Sequence, residues 1–502
     1  MLGLIITLSL MAHLASGQAN LTIVVNAQSS IFEAEESFIS WSMDVANMVR
    51  STDFPVFDFS SPKLHSLMKG LSPALLRVGG SPADWLFFDV PYSALNATKL
   101  SPKPILMTSQ YMLAYNIARV TLIATENDWD AMVQLTLATG NRLLFDLNLQ
   151  QRFGLQWDPS QAIRLFEYCR QQGYGKNLDW ELGNEPNAYS HPGQIQVGTK
   201  QIGEDFLNLR RLLDAYPSLS AGSMVGPDVV SVPKEMVTDF VNVAGEVATA
   251  LTTHHYYFRG DIASWKEYIN PKHFSGSLDQ QLQEAKDIIA QSKHPQLKYW
   301  LGETSDSWHS GTAGVSDRFI SGFLWLDKLG TAAKMGVGVV MRQTLYGHQY
   351  SLISLTLDPY PDYWLSLLHK RLAGTKVLYA QVSNSTTVKA YAHCSPTADD
   401  AFPTGAVTMF ALNINNHTES LTFTEQFAKL PYEVYLMTPG DGEQSGLLSK
   451  DVKLNGKVLS LLPDSSLPDL LPVSHSAGQP LDLPPYSYAF WVFPAAKAPA
   501  CG

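Results

Sequence analysis

Eight short apolar runs, separated by amphipathic helical patterns, constrain the fold of this chain more than any other feature. Each run is bounded by turn residues and is typical of a buried strand. The runs are Phe38–Met43, Ala74–Val78, Arg142–Leu147, Leu178–Leu182, Gly222–Val225, Ala248–Thr253, Leu297–Leu301 and Val337–Met341. The helical patterns between them include Gln161–Gln172, Glu204–Leu213, Leu278–Ser292 and Arg318–Leu329. Strands that alternate with helices in this number predict an α/β fold of the (β/α)8, or TIM-barrel, type.

The pattern changes after about residue 375. Short runs of alternating apolar and polar residues follow, separated by Asn, Gly and Pro, and they are typical of an antiparallel β-sandwich. These runs are Val377–Val382, Val388–Cys394, Ala406–Leu412, Tyr432–Met437 and Tyr486–Phe493. Leu21–Asn26 alternates in the same way, so we expect it to add a strand to the sandwich. The predicted organisation is an N-terminal strand segment over residues 18–36, a barrel over 37–375 and a C-terminal β-sandwich over 376–502.

The apolar run Leu2–Ala15 is typical of a secretory signal peptide over residues 1–17, cut near Gln18. A basic segment ahead of the run is missing, so a buried N-terminal strand or helix is the alternative. No later apolar run reaches the roughly 20 residues that a transmembrane helix needs. We therefore expect a secreted protein, extracellular or lysosomal. Four N-glycosylation motifs fit this expectation, at Asn20, Asn96, Asn384 and Asn416.

Charge and cysteine content narrow the classes of partner and cofactor. The formal net charge of −11 argues against nucleic acid, and any positive patch that faces an anionic polymer must be local. The chain has 3 cysteines, too few for a disulfide-built fold or a cysteine zinc site. A bridge between Cys394 and Cys501 would clamp the C-terminal module, and Cys169 would then be a buried free thiol. We expect a monomer without a cofactor.

Two glutamates follow strand-like runs that lie far apart in the sequence. Glu185 follows the fourth run, in DWELGNEP, and Glu303 follows the seventh, in YWLGET. Hydrolysis of a sugar acetal requires two carboxyl groups, one to protonate the leaving oxygen and one to attack the anomeric carbon or activate water there. A barrel supplies such a pair because its catalytic residues sit where strands end, on one common face. The pair therefore predicts a glycosidase.

The two glutamates are expected to have different roles. Glu185 is the predicted general acid/base, in the more apolar surroundings, and Glu303 is the predicted nucleophile, hydrogen-bonded by donors. A separation of roughly 5 Å between the carboxyl groups would predict retention of the anomeric configuration. An Asn-Glu-Pro motif alone would fit a loop-exposed carboxylate equally well, so it is the pair that favours catalysis.

Other strand ends carry side chains that suit sugar binding. They are Asp44, Arg77, Ser81, Asn184, His254–Tyr257, Arg342-Gln343, Tyr346 and Tyr350. Each alone fits a structural role better, whereas their placement on one barrel face favours binding. We assign no metal to the histidine pair. Neighbouring strand residues point in opposite directions, and no carboxylate stands at the helical spacing of a zinc site.

Ten motifs in fixed order extend over nearly the whole chain after the predicted signal peptide. They are LSPALLRVGG (71–80), RLLFDLN (142–148), DWELGNEPN (179–187), VGPDV (225–229), HHYY (254–257), WLGET (300–304), WLDKLG (325–330), VMRQ (340–343), PDYWLSLL (361–368) and YSYAFWVF (486–493). Together they resemble glycoside hydrolase family 79, which holds heparanases and leech-type hyaluronidases.

The resemblance implies a retaining endo-β-D-glucuronidase that acts on a glycosaminoglycan, with Glu185 and Glu303 in the roles given above. By position it also implies a set of substrate contacts and a Cys394–Cys501 disulfide. The implied contacts are Asp44, Ser81, Asn184, His255, Tyr257, Gln343 and Tyr350. Ser81 stands where heparanases carry Thr, a change that keeps the hydroxyl.

Departures from the heparanase pattern bear on processing and substrate. Heparanases carry a basic-flanked linker that is excised on activation, whereas Pro91–Trp129 is short and has no Lys/Arg cluster, so we predict an active uncut chain. The heparin-binding stretch is reduced to Val229–Glu235 with one lysine, and a glycine-rich run becomes Trp308–Thr312. These features, with Gly314–Phe323 and Arg342–Tyr346, look closer to the leech-type enzymes.

The scarcity of clustered basic residues favours hyaluronan slightly over heparan sulfate, because sulfate groups are best held by Arg or Lys and hyaluronan carries none. Heparanase activity on heparan sulfate is the alternative. A non-catalytic glycosaminoglycan-binding paralogue is another, against which both retained glutamates argue. An exo-acting β-glucuronidase is a third, and it depends on whether loops close one end of the cleft.

Overall fold

The computed structural model describes residues 21–49, 57–89, 122–190, 194–383, 385–398, 401–442, 444–479 and 481–502. At its centre, eight parallel strands form a barrel. A bridge between Trp180 of the fourth strand and Met224, just before the fifth, closes it. The strands are β1 (Ile39–Asp44), β2 (Leu75–Gly79), β3 (Arg142–Leu147), β4 (Leu178–Leu182), β5 (Val225–Val230), β6 (Ala250–His255), β7 (Lys298–Thr304) and β8 (Val340–Gln343). The predicted (β/α)8 barrel is confirmed.

Each barrel strand is followed along the chain by a helix. The helices are α1 (Pro62–Gly70), α2 (Glu126–Ala138), α3 (Ser160–Gln172), α4 (Thr199–Asp214), α5 (Lys234–Ala244), α6 (Ser277–Gln291), α7 (Ser321–Lys334) and α8 (Pro361–Leu372). Most strands lie within a few residues of their predicted positions. The fifth is the exception, because β5 continues through Gly226-Pro227, which the sequence pattern had marked as a break.

Side-chain alternation divides each barrel strand between two environments. In β3, Leu143, Phe145 and Leu147 belong to the large core that packs under the helices, whereas Leu144 belongs to a separate cluster inside the barrel. The next residue on the inner face, Asp146, is fully buried. The barrel interior is therefore apolar at the start of the strands and charged toward their carboxyl ends.

A second, mixed sheet of 11 strands packs against the barrel. Its strands are Leu21–Glu33, Lys376–Val382, Val388–Cys394, Val407–Asn413, Glu419–Phe423, Tyr432–Pro439, Val452–Leu454, Lys457–Val458, Val473–His475, Leu481–Leu483 and Ser487–Phe493. All its pairings are antiparallel except the one between Leu21–Ile23 and Leu421–Phe423. The N-terminal strand thus joins the C-terminal sheet, as the alternation of Leu21–Asn26 predicted.

The two faces of this sheet bury different sets of side chains. Met409 and Trp491 point into the sheet's own core, whereas Phe410 and Phe490 belong to the core shared with the barrel. Helix α7 is buried between the two bodies. A side chain at Gly330 of this helix would lie 2.2 Å from the Tyr391 ring, so only glycine allows the sheet to approach so closely.

Several sequence predictions fall outside the described residues. They concern the signal peptide over 1–17, the glycosylation motifs at Asn20, Asn96 and Asn384, and most of Pro91–Trp129. The fourth motif residue, Asn416, is exposed between two strands of the second sheet. Within the described ranges no helix combines the length and apolar character that crossing a membrane requires.

The predicted Cys394–Cys501 disulfide is present, and Cys169 is buried and free. The bridge closes a loop with a sequence separation of 107 residues. In the chain-entropy model, a loop of this size contributes roughly 4–5 kcal/mol to stability by restricting the unfolded chain. It therefore ties the last residues of the chain to the second sheet.

We predict that replacing Cys394 and Cys501 together by Ser lowers the free energy of unfolding by about 2–5 kcal/mol, measured by urea unfolding under non-reducing conditions. The double variant should be insensitive to reductant, whereas the parent protein should lose stability when reduced. Cys169→Ala is the matched control and should keep the response to reductant. Equal stability of the parent and the double variant would contradict the prediction.

Candidate active site

One buried guanidinium, that of Arg77 on β2, joins acidic and amide groups from three other parts of the barrel. Its Nε donates to Glu181 Oε2 at 2.6 Å and its Nη1 donates to Glu303 Oε2 at 2.9 Å. Its Nη2 donates to Asn184 Oδ1 at 3.0 Å and also to Asp228. Arg77 lies on the inner face because Leu75 and Arg77 alternate with the outward-facing Leu76 and Val78.

The two predicted catalytic glutamates lie close together at the carboxyl ends of β4 and β7. One carboxylate oxygen of Glu185, one of Glu303 and a ring nitrogen of His254 all lie within 4.8 Å of one another. Glu185 has a left-handed backbone with φ of 52° and is followed by Pro186, which begins a short 3-10 turn. Its backbone N–H donates to Asp228 O at 2.8 Å, which fixes this turn.

The surroundings of the two carboxyl groups differ from the expectation in one respect. Glu303 accepts hydrogen bonds from Arg77 and Tyr256, as expected for a nucleophile. The Glu185 side chain is the more exposed of the two, 25% against 10%, and it contacts His254. Its surroundings are therefore polar and open to solvent rather than apolar.

His254 contacts acidic residues from three strand ends. Its Nδ1 lies 2.7 Å from Glu185 Oε1 and 4.0 Å from Glu303 Oε1, and its Nε2 lies 2.8 Å from Asp228 Oδ1. Burial opposes protonation, but the carboxylates of Asp228 and Glu303 outweigh it and raise the pKa of His254 well above its usual value. The imidazole is therefore a second buried cation.

Two strand irregularities bring acidic side chains onto the inner face. The register between β6 and β7 shifts at Gly302, so that Thr253 pairs with Leu301 and His254 pairs with Glu303. The register between β5 and β6 shifts between Gly226 and Val229, where Asp228 has φ of 59°. Each extra residue reverses the inward and outward alternation, and this turns Glu303 and Asp228 into the barrel.

The carboxyl groups in this cluster outnumber its cations, so some of them keep their protons. Burial is the largest effect on Glu181 and, with the nearby Asp228 charge, raises its pKa to about 8 despite the contact with Arg77. Burial likewise raises the pKa of Asp146 well above its usual value. The pKa of Asp228 is lowered, because Arg77 and His254 outweigh its burial. Asp228 is therefore the ionised partner of both cations.

The HHYY motif occupies the site with different residues from those that the resemblance implied. Tyr256 donates to Glu303 Oε1 at 2.5 Å, and His254 contacts Glu185. His255 and Tyr257 stack on each other with ring centroids 4.7 Å apart, and Lys328 of α7 lies over the Tyr257 ring. This placement follows from strand alternation, since Ala250 and His254 share the inner face.

The other implied contact residues lie at the same ends of the strands. Asp44 ends β1 beside Gly80, where an added side chain would lie 3.2 Å from Asp44 Oδ1. Ser81 is exposed at the start of a 3-10 turn. Gln343 is buried and accepts from Ser42. Burial and the nearby Glu303 carboxylate raise the pKa of the Tyr350 hydroxyl, so it stays protonated.

Sequence reasoning missed Glu181, Asp228 and Asp146 as members of the cluster. The inward position of Glu181 and Asp146 could have been predicted from the sequence. Each lies two residues after an inward-facing residue of a predicted strand, and residues two apart share a face. For Asp228 and Glu303 simple alternation gives the wrong face, and only the register shifts place them correctly. Glu303 was found through its motif rather than through alternation.

The contact pattern argues against using His254 as a metal ligand. Both of its ring nitrogens face carboxylate oxygens, and the protonated ring has no lone pair to offer. Glu303 is already bonded by Arg77 and Tyr256. The arrangement offers one solvent-accessible carboxyl group beside one carboxylate fixed by donors.

Comparison with known proteins adds to this geometry. The family model for glycosyl hydrolase family 79, N-terminal domain, matches residues 20–330. The chain is 37% identical over 504 residues to a hyaluronoglucuronidase of Hirudo nipponia, covering 96% of this chain and 99% of the relative. It is 36% identical over 503 residues to a heparanase of Gallus gallus, covering 93% of each.

A solved structure supports the fold alone. An α-L-arabinofuranosidase of Thermotoga maritima aligns with a TM-score of 0.64 at 13% identity, covering 94% of this chain and 99% of that one. The barrel with an appended sheet is thus shared with a protein of remote sequence.

We predict that Glu181→Gln flattens the pH dependence of stability. The folded protein holds a proton on Glu181 up to about pH 8, whereas the unfolded chain releases it near pH 4.3, a rough model value. The native state thus binds more protons across this window, so the contribution of Glu181 to the free energy of unfolding falls as pH rises. Glutamine keeps an acceptor for Arg77 but has no proton to lose.

Urea unfolding of the parent and the Glu181→Gln variant at several pH values between about 5 and 8 measures this effect. The parent should lose stability more steeply with rising pH than the variant. Other buried acids, such as Asp84 with a pKa of about 7, contribute to both proteins and cancel in the difference. Equal slopes would contradict the raised pKa of Glu181.

Proposed function

Because the chain belongs to glycosyl hydrolase family 79 and is therefore a glycoside hydrolase, we propose that it is a retaining endo-β-D-glucuronidase that cuts glycosaminoglycan chains. Hyaluronan is slightly favoured over heparan sulfate as its substrate. The observation that carries the proposal is the pairing of Glu185 and Glu303, in which one carboxylate oxygen of each lies within 4.8 Å of the other. Retaining glycosidases separate their carboxyl groups by roughly 5 Å, inverting ones by more than about 6.5 Å.

The proposed reaction has two steps. A Glu303 oxygen attacks the anomeric carbon of a glucuronic acid residue while Glu185 gives its proton to the departing glycosidic oxygen, which leaves a covalent glycosyl ester on Glu303. Water then attacks the same carbon, Glu185 takes the water proton and the ester bond to Glu303 breaks. Two inversions retain the configuration.

The neighbours of Glu303 suit a nucleophile. Arg77 and Tyr256 donate to different oxygens of its carboxylate, so the attacking group is held in place from two directions. Burial and the Glu303 charge raise the pKa of Tyr256 well above its usual value, so the phenol keeps the proton that it donates. The exposed side of Glu185 suits an acid that must reach substrate and water.

We propose that the substrate is contacted by the residues gathered around the pair. Asn184 Oδ1 accepts from Arg77, which leaves its amide N–H groups to donate to a sugar hydroxyl. Asp44, Ser81, Gln343 and Tyr350 complete the proposed contact set, with His254 and Tyr256 in place of His255 and Tyr257. These side chains come from the ends of five strands and their loops, as expected of a barrel enzyme.

Two exposed aromatic residues on opposite sides of the barrel mouth support endo action. Phe153, in the hairpin after β3, is 65% exposed, and Trp308, after β7, is 43% exposed. β3 and β7 are four strands apart in the barrel order, so the two residues can flank a polymer that lies across the catalytic pair. Aromatic side chains are common in the lining of ligand sites.

The charge distribution supports an unsulfated polymer. Arg77, Arg342 and Lys328 are buried and bonded to protein acceptors, so they have no free face for sulfate. Arg259, exposed near the site, is paired with Asp261. The apolar run at the N-terminus, the glycosylation motifs and the disulfide support secretion to an extracellular or lysosomal compartment. We propose that the uncut chain acts as a monomer.

A direct test incubates the purified, uncut chain with hyaluronan and, separately, with heparan sulfate, and identifies the new reducing-end sugar by mass spectrometry. We expect cleavage of hyaluronan with glucuronic acid at the new reducing end. N-acetylglucosamine there would contradict the proposed bond, and faster cleavage of heparan sulfate would reverse the substrate preference. Glu303→Gln should abolish turnover and keep binding, whereas wild-type binding without turnover would favour a non-catalytic paralogue.

The contacts of the HHYY motif predict unequal effects for two conservative variants. Tyr256→Phe removes the hydrogen bond to Glu303 and should lower kcat about 10- to 100-fold, since a hydrogen bond to a charged group is worth roughly 1.5–3 kcal/mol. Tyr257→Phe is the matched control and should change kcat little, because its ring packs under Lys328 away from the carboxyl pair. Steady-state kinetics on hyaluronan oligosaccharides compare them. A larger loss in Tyr257→Phe would restore the assignment from the resemblance.

A further inference from the structure

Asp228, in the VGPDV motif, has no role in the reaction described so far, yet it contacts both Arg77 and His254. Its carboxyl group is almost fully buried, and its backbone has the left-handed φ of 59°, which is uncommon for a residue other than glycine. Backbone conformations of this kind persist where the surrounding structure holds them, often at functional sites. At Gly302 an added side chain would lie 2.6 Å from Asp228 Oδ1, so the motif on β7 leaves room for this carboxylate.

The two oxygens of Asp228 serve the two halves of the catalytic pair. Oδ2 accepts from Arg77, whose Nη1 donates to Glu303. Oδ1 makes an ion-pair contact with His254 Nε2 at 2.8 Å that lacks hydrogen-bond alignment, and His254 Nδ1 lies 2.7 Å from Glu185 Oε1. The Asp228 backbone carbonyl also accepts from the Glu185 N–H at 2.8 Å.

We propose that Asp228 is a positioning residue, one of whose carboxylate oxygens pairs with His254 beside Glu185 while the other holds Arg77 against Glu303. One buried anion thereby sets the charge beside both catalytic carboxyl groups. The inference rests on the proposed function, because the roles of acid/base and nucleophile belong to that proposal.

The charges around His254 and Asp228 come from several strands. Arg77 on β2 faces Asp228, as do Glu181 on β4 and Asp146 on β3, which burial holds in their neutral forms. Glu185 and Glu303 face His254. With Asp228 ionised, each cation has a carboxylate partner. Without it, His254 would lose the partner of Nε2 and keep only its contacts with the two catalytic groups.

The imidazolium assists the proposed first step electrostatically. As Glu185 gives its proton to the glycosidic oxygen, it becomes a carboxylate, and the adjacent positive charge stabilises the charge that develops. His254 keeps its own proton throughout and forms no bond to the sugar. If the imidazole were neutral, Glu185 would lose that stabilisation, so the reaction should slow when His254 deprotonates.

The test replaces Asp228 by Asn, which is similar in size but uncharged. An opposite charge within about 4–6 Å shifts a pKa by roughly 1–3 units, so the pKa of His254 should fall in the variant. The imidazole titration of His254, followed by NMR, should move down by about 1–3 pH units, with kcat reduced more than KM is changed. A purely structural role would lower activity evenly and leave the His254 titration in place.

Asp179→Asn is the matched control. Asp179 is also a buried aspartate paired with an arginine, since Arg142 donates to both of its oxygens at 2.8 and 2.6 Å, but it lies near the start of β4. This variant should lose stability and keep the His254 titration of the parent. An unchanged His254 titration in Asp228→Asn would overturn the proposal, and an equal displacement in Asp179→Asn would do the same.

A measurement on the parent protein keeps the proposal testable if Asp228→Asn does not fold. The chain has 13 histidines, and the imidazole signal of His254 can be assigned by its loss in His254→Gln. In the parent this signal should stay in the protonated form between about pH 5 and pH 8, whereas an ordinary histidine titrates near 6.5. Titration of His254 near its ordinary value would overturn the proposal. This readout needs no turnover, so failure of the hydrolysis test leaves it interpretable.

Discussion

The site depends on the ion pairing of Arg77 inside the barrel. A guanidinium with almost no solvent contact must be compensated by acceptors, and it finds them on Glu181, Asp228, Glu303 and Asn184. Removing one partner of a buried pair typically costs about 3–5 kcal/mol, because the remaining charge stays buried and unpaired. The planar fork of donors also fixes where each acceptor must lie. The end of β2 therefore determines the geometry at the ends of β4, β5 and β7.

Charge balance then assigns different protonation states to chemically similar residues. The cluster has two cations, Arg77 and His254, and more carboxyl groups than two cations can neutralise. Asp228 lies between both cations and ionises, whereas Glu181 and Asp146 keep protons because desolvation dominates there. A barrel interior can hold so many acids only because several of them are neutral. The arrangement is formed before substrate arrives, which is what electrostatic preorganisation requires.

The second sheet supports the site through α7. Lys328 of this helix donates to His255 O at 3.2 Å and to Ser305 O at 2.6 Å, and so ties the ends of β6 and β7 together. On the same helix, Asp327 accepts from Tyr391 of the second sheet at 2.5 Å. The strand ends that carry His254 and Glu303 are thus braced by a helix that is itself buried against the sheet.

The sequence alone determined the barrel, the added sheet and the two catalytic candidates, because hydrophobic periodicity and short motifs are local properties of the chain. It also contained the inward positions of Arg77, Asp146 and Glu181, which follow from alternation along single strands. Only the tertiary structure decided which two of the four residues His254–Tyr257 face the catalytic pair. It also decided how Asp228 and Glu303 turn inward. Those outcomes depend on register shifts between neighbouring strands, and register is a property of two strands together. The protonation of His254 was likewise decided by charges that the fold gathers from distant segments.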